Sequence, residues 1–182
     1  MSYLKLANKS DLSGRTLQLM EEAEQRWGYI GNIVRAYALA PNVMEAEDVW
    51  TKGVMHSGFL PRKLKEAIAT VVSVTNKCDY CAGSHALAYT IAGGDMNEAA
   101  HCKTLDLSDF TVSERAALLF AQKSTANPKS IQQTDINTLR EHYTDGEIVE
   151  ISTVIQMFMG YNWFVTIMGL QLEQENPFVK SE

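Results

Sequence analysis

The chain has 182 residues, is 46% hydrophobic, and carries 16 basic against 22 acidic residues for a formal net charge of −6. That length suits one domain with a sizeable core. The acidic balance, with a pI near 5.2, argues against nucleic acid or an anionic membrane as the main partner.

The N-terminal stretch MSYLKLANKSDLSG has neither an apolar run nor a small-residue cleavage site, so no secretory signal is expected and a cytoplasmic protein is. Apolar spacing predicts helices near 13–27, 30–39, 41–57, 61–75, 78–92, 95–102, 111–126, 131–142 and 145–169. Strand-type alternation is scarce, so the expected fold class is all-α. Pro61 can open the helix LPRKLKEAIATVVSV, because the first turn does not use the missing N–H. Gly93-Gly94 can end the helix that carries the cysteines. Capping boxes are expected for Thr111 with Glu114, Ser130 with Gln133 and Thr144 with Glu147. No low-complexity linker divides the chain. It reads as a single domain over 1–182, with its motifs in about 41–105 and a second half over about 111–172. The last helix, IVEISTVIQMFMGYNWFVTIMGL, is long and apolar, but Glu150, Gln156 and Asn162 would be costly in hydrocarbon. It reads as a core or subunit-interface helix, and no membrane partner is expected.

The chemistry concentrates in TNKCDYCAGSHALAYTIAGG. Cys78, Cys81 and His85 stand at offsets 0, 3 and 7, which on a helix fall within about 60° of one another. Two thiols and an imidazole on one stripe suit a redox-active dithiol, the histidine taking a proton from the second cysteine. Zinc is the competing reading, with Glu66 as fourth ligand, although three ligands within eight residues crowd a tetrahedral ion. An odd cysteine count does not fit a disulfide-stapled secreted domain, and in a reducing compartment a CxxC is more often catalytic or metal-binding. Cys102 reads as a small packing residue, and His142 with Tyr143 as helix-end charge or packing. His56, before Ser57-Gly58, can approach the site from the preceding helix. Glu66 taken alone reads as a surface or helix-terminal charge.

An internal echo links the two halves. Glu66 precedes Cys78 by twelve residues and Glu150 precedes Asn162 by the same twelve, with Ala67-Ile68-Ala69-Thr70-Val71 against Ile151-Ser152-Thr153-Val154-Ile155. The expectation is a pseudo-repeated helical hairpin in which only the first copy keeps the thiols.

Glu66, eleven residues, Cys78-Asp79-Tyr80-Cys81, three residues, then His85 resembles the signature of the carboxymuconolactone decarboxylase-like superfamily. More narrowly it resembles the AhpD-like alkylhydroperoxidases, often called peroxidase-related enzymes. Pro41 and the phrase Glu147-Ile148-Val149-Glu150 extend the likeness over most of the chain. Tyr80 stands where the best-studied peroxidase branch has a histidine. The resemblance implies an AhpD-like helical bundle and a thiol-dependent (alkyl)hydroperoxide reductase without metal or cofactor. It implies Cys81 as the peroxidatic thiol, Cys78 as the resolving one, His85 as proton acceptor and Glu66 as its relay. It implies as partners a hydroperoxide and a dithiol reductant, such as a lipoyl or thioredoxin-like protein, and a homo-oligomer, trimer or hexamer with dimer as another form. Two other readings remain open: a redox-responsive regulatory or binding protein with little turnover, and a structural or metal-bound CxxC protein.

Overall fold

In the computed structural model, residues 2–178 are described; the extreme ends of the expected 1–182 domain lie outside them. The architecture is all-α. The helices are α1 (Gly14–Trp27), α2 (Asn32–Tyr37), α3 (Pro41–Met55), α4 (Arg62–Thr75), α5 (Asp79–Ile91), α6 (Met96–Lys103), α7 (Val112–Ala126), α8 (Gln133–Arg140) and α9 (Asp145–Ile167). Each expected helix is present, with ends moved by a few residues. Two short 3-10 turns, Lys9–Asp11 and Pro128–Ser130, add to them. The second corrects one expected cap. Ser130 ends that turn and bonds Asn127 O at 2.7 Å, so α8 is capped instead by Gln132 with Asp135. The Thr111–Glu114 and Thr144–Glu147 boxes form, and Asp95 with Glu98 makes a further one on α6.

Helix α4 is the hub. Every residue from Leu64 to Ser73 is buried, because α5, α6, α7 and α9 surround it. A helix covered on all sides is normally apolar throughout, yet α4 carries Lys65 and Glu66, which are 1% and 0% exposed. Two charges at the centre of a bundle persist only if each is paired, and the pairings organise the rest of the molecule. Lys65 Nζ donates to Val54 O at 2.8 Å and Ser57 O at 2.5 Å and forms an ion pair with Glu150 of α9. Glu150 in turn accepts from the amides of Phe59 and Leu60 at 2.8 and 3.3 Å. This locks the α3–α4 loop onto α9.

The main core joins α4, α7 and α9 through residues such as Ile68, Val71, Leu118, Ile151, Val154 and Phe158. A second apolar cluster gathers Cys78, Tyr80 and Cys81 with Ala36, Val165 and Leu170. No helix among the described residues is long and apolar enough to cross a membrane.

Helix α4 ends in a left-handed turn without glycine. Lys77 has φ 58°, and Cys78 N donates back to Ser73 O at 2.8 Å, the six-to-one bond of a Schellman motif. The chain thus reverses within three residues into α5 with Cys78 as its N-cap. Gly93, at φ 89°, ends α5.

Candidate active site

Cys78 and Cys81 are both buried, at 4% and 2% exposure, and both thiols are free. Because Cys78 caps α5 with non-helical φ −95° and ψ 89°, it stands just off the helical stripe that the spacing predicts. The two thiols interact directly. A hydrogen bond from Cys81 holds Cys78 below its ordinary pKa of 9.0 against the opposing effect of burial, and backbone N–H groups of Cys81 and Tyr80 assist. The same bond raises Cys81 well above that value, and burial adds to the rise. Of the two thiols Cys78 is therefore the more acidic, at the positive end of α5. The family resemblance implies Cys81, beside the histidine, as the peroxidatic thiol, while the helix terminus favours an anion on Cys78.

The two thiols differ in access. Cys81 lines a cavity of about 200 Å³, together with Ser84, His85, Glu66, Tyr80 and Phe158, which Cys78 does not line; both thiols belong to the same apolar cluster. Asn162 of α9 lies against Cys81 and lowers its pKa in part. Its amide is fixed by a bond to Ser73 Oγ at 3.0 Å and one from Asn76 at 3.0 Å. The residue that echoes Cys78 in the second half is thus packed against the first half's cysteine pair.

His85 Nδ1 is 2.6 Å from Glu66 Oε2. A carboxylate only accepts, so Nδ1 carries a proton and donates it to Glu66. Phe158 holds the ring edge-on, with centroids 4.3 Å apart. Burial alone would raise the Glu66 pKa, but His85 and then Arg62 outweigh it and hold the carboxyl below its ordinary value. Arg62 Nε donates to Glu66 Oε1 at 2.5 Å, and Arg62 Nη1 lies 2.8 and 2.9 Å from the two ring nitrogens of His56. His56 reaches the cavity wall as expected. Desolvation there and the positive charge of Arg62 push its pKa down to about 4, so it is neutral near pH 7.

The four residues singled out in the sequence therefore come together, from α4, α5 and the turn between them. Sequence reasoning missed Arg62, although its position four before Glu66 is a readable helical pair. It also missed Glu173, which bonds Tyr80 from 93 residues away and leaves no local signal. Tyr80 is a tether: its hydroxyl accepts from Ile33 N at 3.1 Å and donates to Glu173 Oε1 at 2.9 Å. Cys102 is apart from the pair. It is 1% exposed, its Sγ is 3.6 Å from Ala67 O, and burial pushes its pKa up to about 12. Among the described residues no group of three or more His, Cys, Asp or Glu side chains is arranged to hold a metal ion.

Residues 41–123 match the carboxymuconolactone decarboxylase family. The whole fold matches the AhpD-core, peroxidase-related protein of Ralstonia eutropha JMP134 with a TM-score of 0.89 and 24% identity, covering 96% of this chain and 93% of that one. The chain is thus similar to the carboxymuconolactone decarboxylase family over residues 41–123 and to AhpD-like, peroxidase-related proteins over the whole fold. The peroxidase-related protein of Silicibacter sp. TM1040 matches with a TM-score of 0.89 and 26% identity over 96% of this chain and 93% of that one. The debrominase Bmp8, as a cysteine-to-alanine variant in complex with 2,3,4-tribromopyrrole, has the same fold, with a TM-score of 0.84 and 23% identity over 96% and 95% of the two chains. No curated protein matches the sequence. The names of these structural neighbours cover peroxidase-related proteins and a debrominase.

Proposed function

We propose that the protein reduces small organic hydroperoxides with the Cys78–Cys81 dithiol. The observation that carries this reading is the joint placement of Cys81, His85 and Glu66 on one cavity wall, with His85 Nδ1 held 2.6 Å from Glu66. From the fully reduced pair, His85 takes one proton and leaves a shared thiolate. The charge rests mainly on Cys78 and moves to Cys81 as the proton of the S–H···S bond shifts. Cys81 sulfur then attacks the terminal peroxide oxygen and the O–O bond breaks. The departing alkoxide takes the proton from His85, giving an alcohol and a sulfenic acid on Cys81. The Cys78 thiol displaces that hydroxyl as water and closes the disulfide. A dithiol restores the pair by exchange. One hydroperoxide and two thiols thus yield one alcohol, one water and one disulfide.

A reducing, cytoplasmic setting suits this cycle, and a lipoyl or thioredoxin-like protein suits the role of dithiol donor. A homo-oligomer, trimer or hexamer, fits the apolar side chains exposed on α3 and α9, Val49, Trp50, Val149 and Trp163 among them. Sedimentation at micromolar concentration is expected to show a species heavier than the 20.3 kDa protomer.

A second reading is dithiol-driven debromination of a small ring: the C–Br bond breaks to release bromide, a proton takes its place on carbon, and the two thiols supply the electron pair by closing to the disulfide. It is favoured by the aromatic cavity walls, Trp27, Tyr37 and Phe158, and by the tribromopyrrole-bound neighbour. The deciding experiment supplies the metal-free protein with dihydrolipoamide and follows cumene hydroperoxide consumption and, separately, bromide release from a bromopyrrole. Sustained peroxide turnover supports the first reading. Bromide release without peroxide turnover replaces it with the second. A single stoichiometric oxidation with neither marks a redox-responsive protein.

A further inference from the structure

The segment after α9 returns across the cysteine helix. Leu172 packs against Gly83 so closely that a Cβ on that glycine would collide with it, and Asn176 Nδ2 lies 3.4 Å from both Gly83 O and Tyr29 OH. Between them Glu173 turns inward to the cavity that holds Cys81. It is 8% exposed. Its Oε1 accepts from Asn32 N at 2.5 Å and from Tyr80 OH at 2.9 Å. Its Oε2 is buried and has no partner.

That open oxygen sets Glu173 apart. Among the described residues, no other carboxylate of the cavity wall, Glu22, Glu47, Asp48 or Glu66, has a buried oxygen without a partner. A buried acceptor left open is costly and rare. Two bonds on Oε1 and the packed Leu172 and Asn176 fix the side chain, so Oε2 is presented by a rigid support rather than by a mobile chain.

We infer that Glu173 is a ligand-anchoring residue: its Oε2 accepts a hydrogen bond from an N–H or O–H donor on a small, otherwise apolar ring compound whose reactive end faces Cys81. A carboxylate oxygen cannot donate, which selects a donor on the ligand. Apolar and aromatic walls select the remainder, and about 200 Å³ admits roughly ten non-hydrogen atoms at protein packing density. This rests on the reading of the cavity as the place where Cys81 meets its substrate.

The test uses two probes of nearly one shape on the reduced protein: indole, which has an N–H, and benzothiophene, which has none. Calorimetric titration is expected to give indole an affinity at least about tenfold higher, the size of one hydrogen bond to a charged acceptor. In Glu173→Gln the amide keeps the Oε1 bonds but puts a donor where Oε2 was, and the preference is expected to shrink to about twofold or less. Equal affinities in the wild type, no binding of either probe, or an undiminished indole preference in Glu173→Gln overturns the inference. The wild-type comparison stands whether or not the variant folds, and a melting curve of Glu173→Gln reports on that. Peroxide turnover on the same preparations separates the two proposals. An indole preference without turnover removes the peroxidase reading alone, and turnover without preference removes the anchor alone.

Discussion

Glu66 and Glu150 occupy matching places in two similar stretches, each twelve residues before a polar position, Cys78 and Asn162. Their fates differ because of what lies opposite. Glu66 faces His85 and Arg62 at the edge of a cavity; Glu150 faces Lys65 and two loop amides. Beyond them the chain also diverges. α4 turns at Lys77 and puts Cys78 at a helix start, whereas α9 runs straight through Asn162 to Ile167. A carboxylate with an imidazole partner and an open cavity can move protons, and one clamped between an ammonium and amides can only hold structure.

The widest separation between the two regions is expected in turnover. Cys81→Ser abolishes it, while Glu66→Gln and His85→Ala lower the rate by about 10²–10⁴, the usual loss on removing proton-transfer help. Cys78→Ser allows one oxidation and leaves a sulfenic acid on Cys81, detectable by dimedone labelling and mass spectrometry. Glu150→Gln is expected to stay within about threefold of wild type in peroxide consumption. A rate loss for Glu150→Gln equal to that for Glu66→Gln would erase the distinction.

Stability inverts the order. Glu150→Ala strands the buried Lys65 ammonium and two amides, and is expected to cost about 2–4 kcal/mol in urea unfolding. A smaller cost, about 2 kcal/mol, is expected for Gly58→Ala. Gly58 has φ 99° and touches the Glu150 carboxylate, so a Cβ meets both backbone strain and a collision.

Acid sharpens the comparison further. Both carboxyls lie below their ordinary value of 4.5, held there against burial by His85 and Arg62 in one case and by Lys65 and amides in the other. A lowered folded-state pKa adds stability that is complete above the unfolded value and is lost as pH falls through the folded one. Replacing either carboxylate by its amide is therefore expected to flatten the stability curve below about pH 4.5. Only Glu66→Gln is expected to change the pH–rate profile as well.

The smallest effect concerns the turn that α9 lacks. Lys77→Gly removes a left-handed lysine and is expected to stabilise the fold by about 0.5–1 kcal/mol, read as a rise in melting temperature. A drop instead would show that the lysine side chain supports the hairpin.

Much of this protein is legible in one dimension because its determinants are local. Helix periodicity, Pro and Gly punctuation and two of the three expected capping boxes act within a turn or two of chain, so the nine expected helices all form among the described residues. The Cys78, Cys81 and His85 stripe is legible for the same reason, with Cys78 shifted slightly off it as the N-cap of α5; the relay role of Glu66 comes only from the family resemblance, because its partner lies on the next helix. The Ser130 cap failed where a 3-10 turn used that hydroxyl first. What the tertiary structure alone decided is which partner each group meets. The lower of the two thiol pKa values falls to Cys78 through the thiol–thiol bond and the backbone N–H groups at the start of α5. Asn162 reaches Cys81 from α9, Lys65 finds Glu150, and Glu173 arrives from the chain's far end with one oxygen open. Buried polar groups are costly until paired, and their pairing spans tens of residues; no local rule encodes it, and packing settles it.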